Sequence, residues 1–338
     1  EYFRGNAKQL AEDGYFTDFI SNGVSTELCF MAFCAFTLII IFAGVQNGIE
    51  RVSKIMMPIL IVLSVIIAVY SVTRPGALAG VKYFLVPNVK NFSWMTVVSA
   101  MGQMFYSLSI AMGILITFGS YMKKDTAIED STRNVEVFDT GIAIMAGLMI
   151  IPAVFAFSGG DPNTLQAGPS LMFITIPKVF QNMGFGTVIG IVFFLLVLFA
   201  AVTSSIALTE SAVSTFEDEL GWGRKKATVL VGVIMLALGS LSSLGYGPLA
   251  GIKIIGMQFL DLFDFLTNSV MMPIAALLTS LLVSRVVGID KIEDEIIHGE
   301  SAFRRKKVFV VMIKYLCPVF AIIILLSSVA NALGWIKM

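Results

Sequence analysis

Apolar residues run through this chain in blocks that are long and unbroken. Eight of them can cross about 30 Å of hydrocarbon at 1.5 Å of helical rise per residue. They cover approximately 26–45, 52–72, 95–121, 137–157, 186–213, 227–245, 262–286 and 308–332. Strict apolar–polar alternation is absent, which excludes a membrane β-barrel. The expected fold class is therefore an all-α integral membrane protein. The polar stretches between the blocks predict loops at 1–25 and from Arg74-Pro75-Gly76 past Pro87-Asn88 to Trp94. A short turn is expected at Gln46-Asn47-Gly48-Ile49-Glu50-Arg51-Val52-Ser53-Lys54, around its Asn-Gly dipeptide. The charged inner segment from Asp290 to Lys307 reads as an amphipathic surface helix. The loop at 158–185 is long, rich in Gly and Pro, and apolar, so it predicts a packed lid rather than a solvated linker.

Composition agrees with this pattern. Hydrophobic residues make up 57% and charged residues 14% of the 338, and the mean hydropathy is +0.87. A soluble domain of that make-up would expose large apolar patches. Charge adds an orientation. With residues 1–25 outside, fifteen of the 23 Lys and Arg fall in or beside inner loops, including every tight cluster (123–124, 224–226, 304–307). That places the chain in the cell membrane, passing several times through the bilayer. Zero net charge implies no nucleic-acid partner. Cys29, Cys34 and Cys317 lie in apolar blocks without ligand spacing and read as core thiols. His298 sits in a charged inner loop. The chain starts at Glu1 in a polar loop, without an initiator Met or signal peptide, and reads as a protein whose front is missing.

Candidate chemistry concentrates in Gly102-Gln103-Met104-Phe105-Tyr106-Ser107-Leu108-Ser109-Ile110-Ala111-Met112-Gly113, inside the third block. Polar groups at that depth cost free energy unless they line a cavity or find partners. Serines can bond back onto their own helix and glycines can admit a close neighbour; the alternative is an interrupted helix around a ligand. Asp139, in the fourth block, is either a hydrated helix-start residue or a cation ligand. In and just beyond Phe199-Ala200-Ala201-Val202-Thr203-Ser204-Ser205-Ile206-Ala207-Leu208, residues Ala200, Ser204, Ala207 and Ser211 make one small-residue face. Such a face means close packing, and its hydroxyls also suit Na⁺. No Ser/His, metal-ligand or paired-acid constellation lies at membrane depth, so no enzyme is expected.

The pattern Gly-Gln-x-Phe-Tyr-Ser-Leu-Ser-x-x-x-Gly resembles the sixth, mid-membrane-broken helix of the neurotransmitter:sodium symporter family. Gly48-Ile49-Glu50-Arg51 with Lys54 and Pro58 resembles the family's loop between helices four and five, and 158–185 its outer helical hairpin. The likeness spans the chain, corresponds to helices four to eleven, and is strongest to bacterial amino-acid members. It implies the leucine-transporter-like inverted-repeat fold. Residues 26–72 would be the last two helices of the first repeat and 95–286 the five-helix second repeat. Residues 287–307 would then be cytoplasmic, and 308–338 the final helix and outer tail.

The resemblance also implies site residues. Ser107 and Asp139 match a first sodium site, the latter through alignment of Gly147. Ala200 (by its carbonyl), Thr203 and Ser204 match a second. Tyr106, Ser109, Met112, Ser205 and Leu208 match the substrate lining. Gln103 and Asp264 match an outer gate, Tyr121 and Asp218 an inner one. Asp139 stands where the family usually has Asn, which implies chloride independence, and Ala111 where it usually has Gly. The first helix, which normally completes both sodium sites, and the third are absent from the sequence. The implied function is Na⁺-coupled symport of a hydrophobic or aromatic amino acid by alternating access, with two sodium sites left incomplete here. The alternatives are a proton-coupled or uncoupled permease, or a non-transporting binding subunit. The implied partners are the amino-acid substrate and the lipid bilayer, and the oligomeric state stays open.

Overall fold

The structure is a computed structural model and describes residues 6–12, 14–161 and 168–332. The end of the expected outer tail, 333–338, lies outside the described residues, as does 162–167 of the expected lid. Among the described residues the chain is helical, with a single isolated bridge between Ile254 and Met257. Its main elements are α1 (Gly23–Phe42), α2 (Val45–Val72), α3 (Trp94–Ser107), α4 (Ile114–Ser120), α5 (Ile128–Ser158), α6 (Leu171–Gln181), α7 (Gly186–Leu220), α8 (Arg224–Leu244), α9 (Phe259–Val287), α10 (Ile289–Gly299) and α11 (Lys306–Ala332).

Seven of these (α1, α2, α5, α7, α8, α9 and α11) are each long and apolar enough to cross a membrane. The eighth expected block, 95–121, is two short helices instead, α3 and α4. Apolarity predicted its length but not its continuity. Other expectations need correction. The loop after Arg74 contains a helix, Ala77–Leu85, with Ala77 and Gly80 buried. The turn after α1 falls at Gly44, whose φ of +87° suits glycine. Asn47 and Gly48 already lie in the helical turn that opens α2. Helices also continue past their apolar blocks: α5 starts at Ile128 and α7 runs on to Leu220. Charge ends a membrane crossing without ending a helix. Asp139 therefore lies about three turns inside α5, and the helix-start reading of it falls.

The chain divides into two compact units. The first holds Glu1–Val89, Thr140–Thr209 and Phe216–Ile252. In it α1 packs along α8 through small residues, as membrane helices do. A Cβ on Gly239 would meet the Phe30 ring at 2.1 Å, and one on Gly232 the Leu38 side chain at 3.1 Å. The Glu27 carboxylate accepts hydrogen bonds from Ser240 (2.5 Å) and Ser243 (2.8 Å), so this acid inside α1 is satisfied by α8. The 77–85 helix lies against α5 where Gly80 and Gly147 leave room, the latter for the Phe84 ring. Within the expected lid, the α6 stretch is packed: Ile176, Val179 and Phe180 are buried. Phe173 stacks between Phe16 (5.3 Å) and Phe194 (6.0 Å).

The second unit holds Lys90–Asp139, Glu210–Thr215 and Lys253–Met338. Its core joins α3, α9 and α11 through Phe105, Met272, Ala276, Ala321 and Ile324, with Ile110, Ala111 and Met112 packed against them. The Ser280 hydroxyl crosses from α9 to the Ile313 carbonyl of α11 (2.6 Å).

Candidate functional site: an interrupted helix and its hydroxyl partners

The interruption is built by local sequence. Ser93 starts α3 with a reciprocal capping box to Thr96. The helix stops at Ser107, and Ser109 (φ +54°), Ala111 (φ +64°) and Gly113 (φ +78°) turn the chain before α4 begins. Left-handed backbone costs about 1–2 kcal/mol at a residue bearing a Cβ. Two such residues in one membrane segment are held by their surroundings. The gap leaves backbone acceptors exposed. Among the described residues, no backbone hydrogen bond ends on the carbonyls of Ser107, Leu108, Ile110 or Ala111. At membrane depth such groups need a partner.

At the end of α3 the Ser107 hydroxyl donates to Asp139 Oδ1 at 2.6 Å, so the two residues matched to the first sodium site are together. Tyr106, on the same turn, is 52% exposed and lines a cavity of about 160 Å³ with Phe105, Asn268 and Met272 among others. Ser109 and Met112 are half-buried. Gln103 is exposed, and Asp264 accepts from Asn268 Nδ2 at 2.6 Å.

The α4 half is fixed to residues 210–215 of α7. Thr117 Oγ1 is 3.1 Å from the Ser214 hydroxyl, and Ser211 donates to the Met112 carbonyl at 3.4 Å. Gly113 is required twice, by its φ and because a Cβ there would lie 2.6 Å from Ser211 Oγ. The Tyr121 hydroxyl donates to Glu210 Oε1 at 2.7 Å, and Glu210 is fully buried.

The second stretch remains helical. In α7 the Thr203 hydroxyl donates to the Phe199 (3.1 Å) and Ala200 (3.0 Å) carbonyls, which brings two of the three matched oxygens together. Ser204 is exposed, Leu208 is 50% exposed, and Asp218 is exposed. Ser205 Oγ lies 3.0 Å from Thr37 Oγ1 of α1, itself fully buried.

Sequence reasoning passed over Glu210, Glu27, Thr37 and the Thr117–Ser214 pair. For the two glutamates a signal existed, an ionisable residue within an apolar block. The hydroxyls carry no comparable signal, since Ser and Thr are common in membrane helices and only packing selects a few.

Non-helical backbone at membrane depth is tolerated where it is buried in protein or lines a cavity, as in the broken helices of transporters. Comparison with known proteins agrees. The sequence model of the Sodium:neurotransmitter symporter family matches residues 1–335, and the chain belongs to that family. An uncharacterized sodium-dependent transporter of Bacillus subtilis (YhdH) is 34% identical over 329 residues, 96% of this chain. Sodium-dependent transporters of Haemophilus influenzae and Methanocaldococcus jannaschii are 31% and 29% identical over 88% and 87% of it. The chain spans 72%, 64% and 59% of these relatives' own lengths. The crystal structure of MhsT in complex with L-phenylalanine superposes with a TM-score of 0.83 at 33% identity, covering 97% of this chain and 74% of MhsT. The fold is thus the leucine-transporter-like one, in a multi-pass membrane protein of a transporter family, not an enzyme family.

Proposed function

We propose that the full-length protein carrying this chain is a Na⁺-coupled symporter for a hydrophobic or aromatic amino acid, working by alternating access. The observation that carries this reading is the interruption between α3 and α4, with its free carbonyls and the Ser107–Asp139 pair beside it. That MhsT was crystallised with L-phenylalanine supports the substrate class.

In this reading Ser107 and Asp139 hold one Na⁺, and the Ala200 carbonyl, Thr203 and Ser204 a second. All are oxygen donors, as a hard cation prefers. A helix equivalent to the family's first would supply the other ligands. The substrate carboxylate rests on the first ion and its ammonium group on carbonyls freed at the break, so a zwitterion is held without large desolvation cost. Tyr106, Met112 and Leu208 receive the apolar side chain, with Ser109 and Ser205 beside it. Gln103 and Asp264 gate the outer side, Tyr121 and Asp218 the inner. Residues 1–25 lie outside the plasma membrane, 26–72 end the first repeat, 95–286 form the second, and 287–307 are cytoplasmic. Each inward Na⁺ gains about 2.3 kcal/mol per 100 mV of membrane potential, so two ions drive strong accumulation.

The test is uptake of radiolabelled L-phenylalanine into proteoliposomes containing the full-length protein. Uptake is expected to be saturable and to require an inward Na⁺ gradient. Undiminished uptake without Na⁺ refutes the coupling. Uptake that follows pH instead favours a proton-coupled permease, and binding without flux a recognition subunit.

A further inference from the structure

The helix that presents Asp139 begins without a cap of its own. Residue 127, just before α5, is Ala, which offers no side-chain acceptor for the first N–H groups of the helix. The acceptor comes from 170 residues away. Glu300 Oε1 accepts from the backbone N–H of Glu129 (2.6 Å) and of Asp130 (3.2 Å). Glu300 is also the residue that ends α10.

The arrangement is reciprocal. Glu129 Oε2 accepts from the backbone N–H of Arg304 at 2.9 Å, and Arg305 reaches back to Glu136 (2.9 Å) and Glu129 (3.8 Å). Gly299 makes the approach possible, because a Cβ there would sit 2.5 Å from the Thr126 carbonyl. All these residues belong to the second unit, as do Ser107 and Asp139.

We propose that Glu300 is a positioning residue for the ion site: by capping α5 it fixes the axial position and rotation of the helix that carries Asp139. It does not touch the ion. It acts through about three turns of helix, the distance from Glu129 to Asp139. The segment between α10 and α11 is thereby part of the Na⁺-binding apparatus rather than a mere connector. This inference rests on the Na⁺-coupled reading above.

The experiment compares wild type, Glu300→Ala and Glu300→Gln in the full-length protein in proteoliposomes. It reads Na⁺ half-saturation, substrate half-saturation at saturating Na⁺, and hydrogen exchange of the 129–131 amides. Glu300→Ala is expected to raise Na⁺ half-saturation about fivefold, the size of a lost helix cap. Substrate half-saturation at saturating Na⁺ should stay within about twofold, and the 129–131 amides should exchange faster. Glu300→Gln keeps an acceptor oxygen and is expected to restore all three values; it also serves if Glu300→Ala does not fold. The proposal is overturned if the amides of Glu300→Ala stay protected. It is equally overturned if they are exposed while Na⁺ half-saturation stays at the wild-type value, or if Glu300→Gln behaves like Glu300→Ala despite folding. Wild-type uptake indifferent to Na⁺ would instead bring down the symporter reading itself.

Discussion

Two stretches of this chain carry oxygen atoms at membrane depth, and they obtain them in opposite ways. Between Ser107 and Gly113 the helix is given up, and carbonyls are released at the cost of two strained non-glycine residues. Between Phe199 and Leu208 the helix is kept, and Thr203 turns its hydroxyl onto the carbonyls of its own preceding turn. The first device exposes full backbone acceptors and bends the chain. The second adds side-chain oxygens to a helix that stays unbroken. An interruption is costly in lipid and can be used sparingly, whereas a hydroxyl beside a carbonyl costs almost nothing. The difference predicts unequal responses to substitution.

The largest expected effect lies at the interruption. Asp139 is an acidic partner of Ser107, and a charged ligand is worth more than a neutral one. Asp139→Ala is expected to raise Na⁺ half-saturation at least about a hundredfold, on the order of 3 kcal/mol, or to abolish Na⁺-driven uptake. Wild-type uptake should be unchanged when chloride is replaced by gluconate, because the carboxylate supplies the negative charge itself. Asp139→Ala that keeps wild-type Na⁺ dependence would erase the contrast between the two stretches.

A smaller effect is expected in the intact helix. Thr203→Val keeps the shape and loses the hydroxyl. The backbone loses no acceptor, since the Phe199 and Ala200 carbonyls keep their place in the helix. Na⁺ half-saturation should rise about tenfold, roughly 1.4 kcal/mol, with helix content by circular dichroism unchanged. A loss of helix content would mean that this hydroxyl holds structure rather than an ion.

The same contrast explains what could be read in advance. Span length and the all-helical class follow from uninterrupted apolar runs, and seven such helices are present among the described residues. The interruption is legible because Gly102, Gly113 and two serines crowd one apolar block. The pairing of Ser107 with Asp139 came from resemblance, and no local rule joins residues 32 positions apart. The buried Glu210 was visible as an acid in an apolar run, but its partner Tyr121 lies on another helix. The helix at 77–85 was hidden because its glycine serves packing against Pro152, which reads locally as a loop signal. The start of α5 at Ile128 was missed for a related reason. Thr126-Ala127-Ile128-Glu129 does fit the capping-box pattern, with acids in the first turn, but the side chain that caps the helix, Glu300, is remote.

The smallest effect tests the cost of the interruption directly. Ala111 holds φ +64° and packs, half-buried, against the core of Phe105 and Met272. Ala111→Gly removes the Cβ that makes this conformation unfavourable and should recover about 1 kcal/mol of strain. Against that stand the extra freedom of glycine in the unfolded chain, of similar size, and the loss of one small apolar contact. The net change in stability is then under about 1 kcal/mol in either direction, a shift of a few degrees at most in thermal unfolding. The informative readout is therefore the exchange of the 108–113 amides. If Ala111 braces the break, these amides exchange faster in Ala111→Gly while those of the 199–208 helix do not change. If both stretches respond alike, the break is not an independently held element and the distinction between the two devices fails.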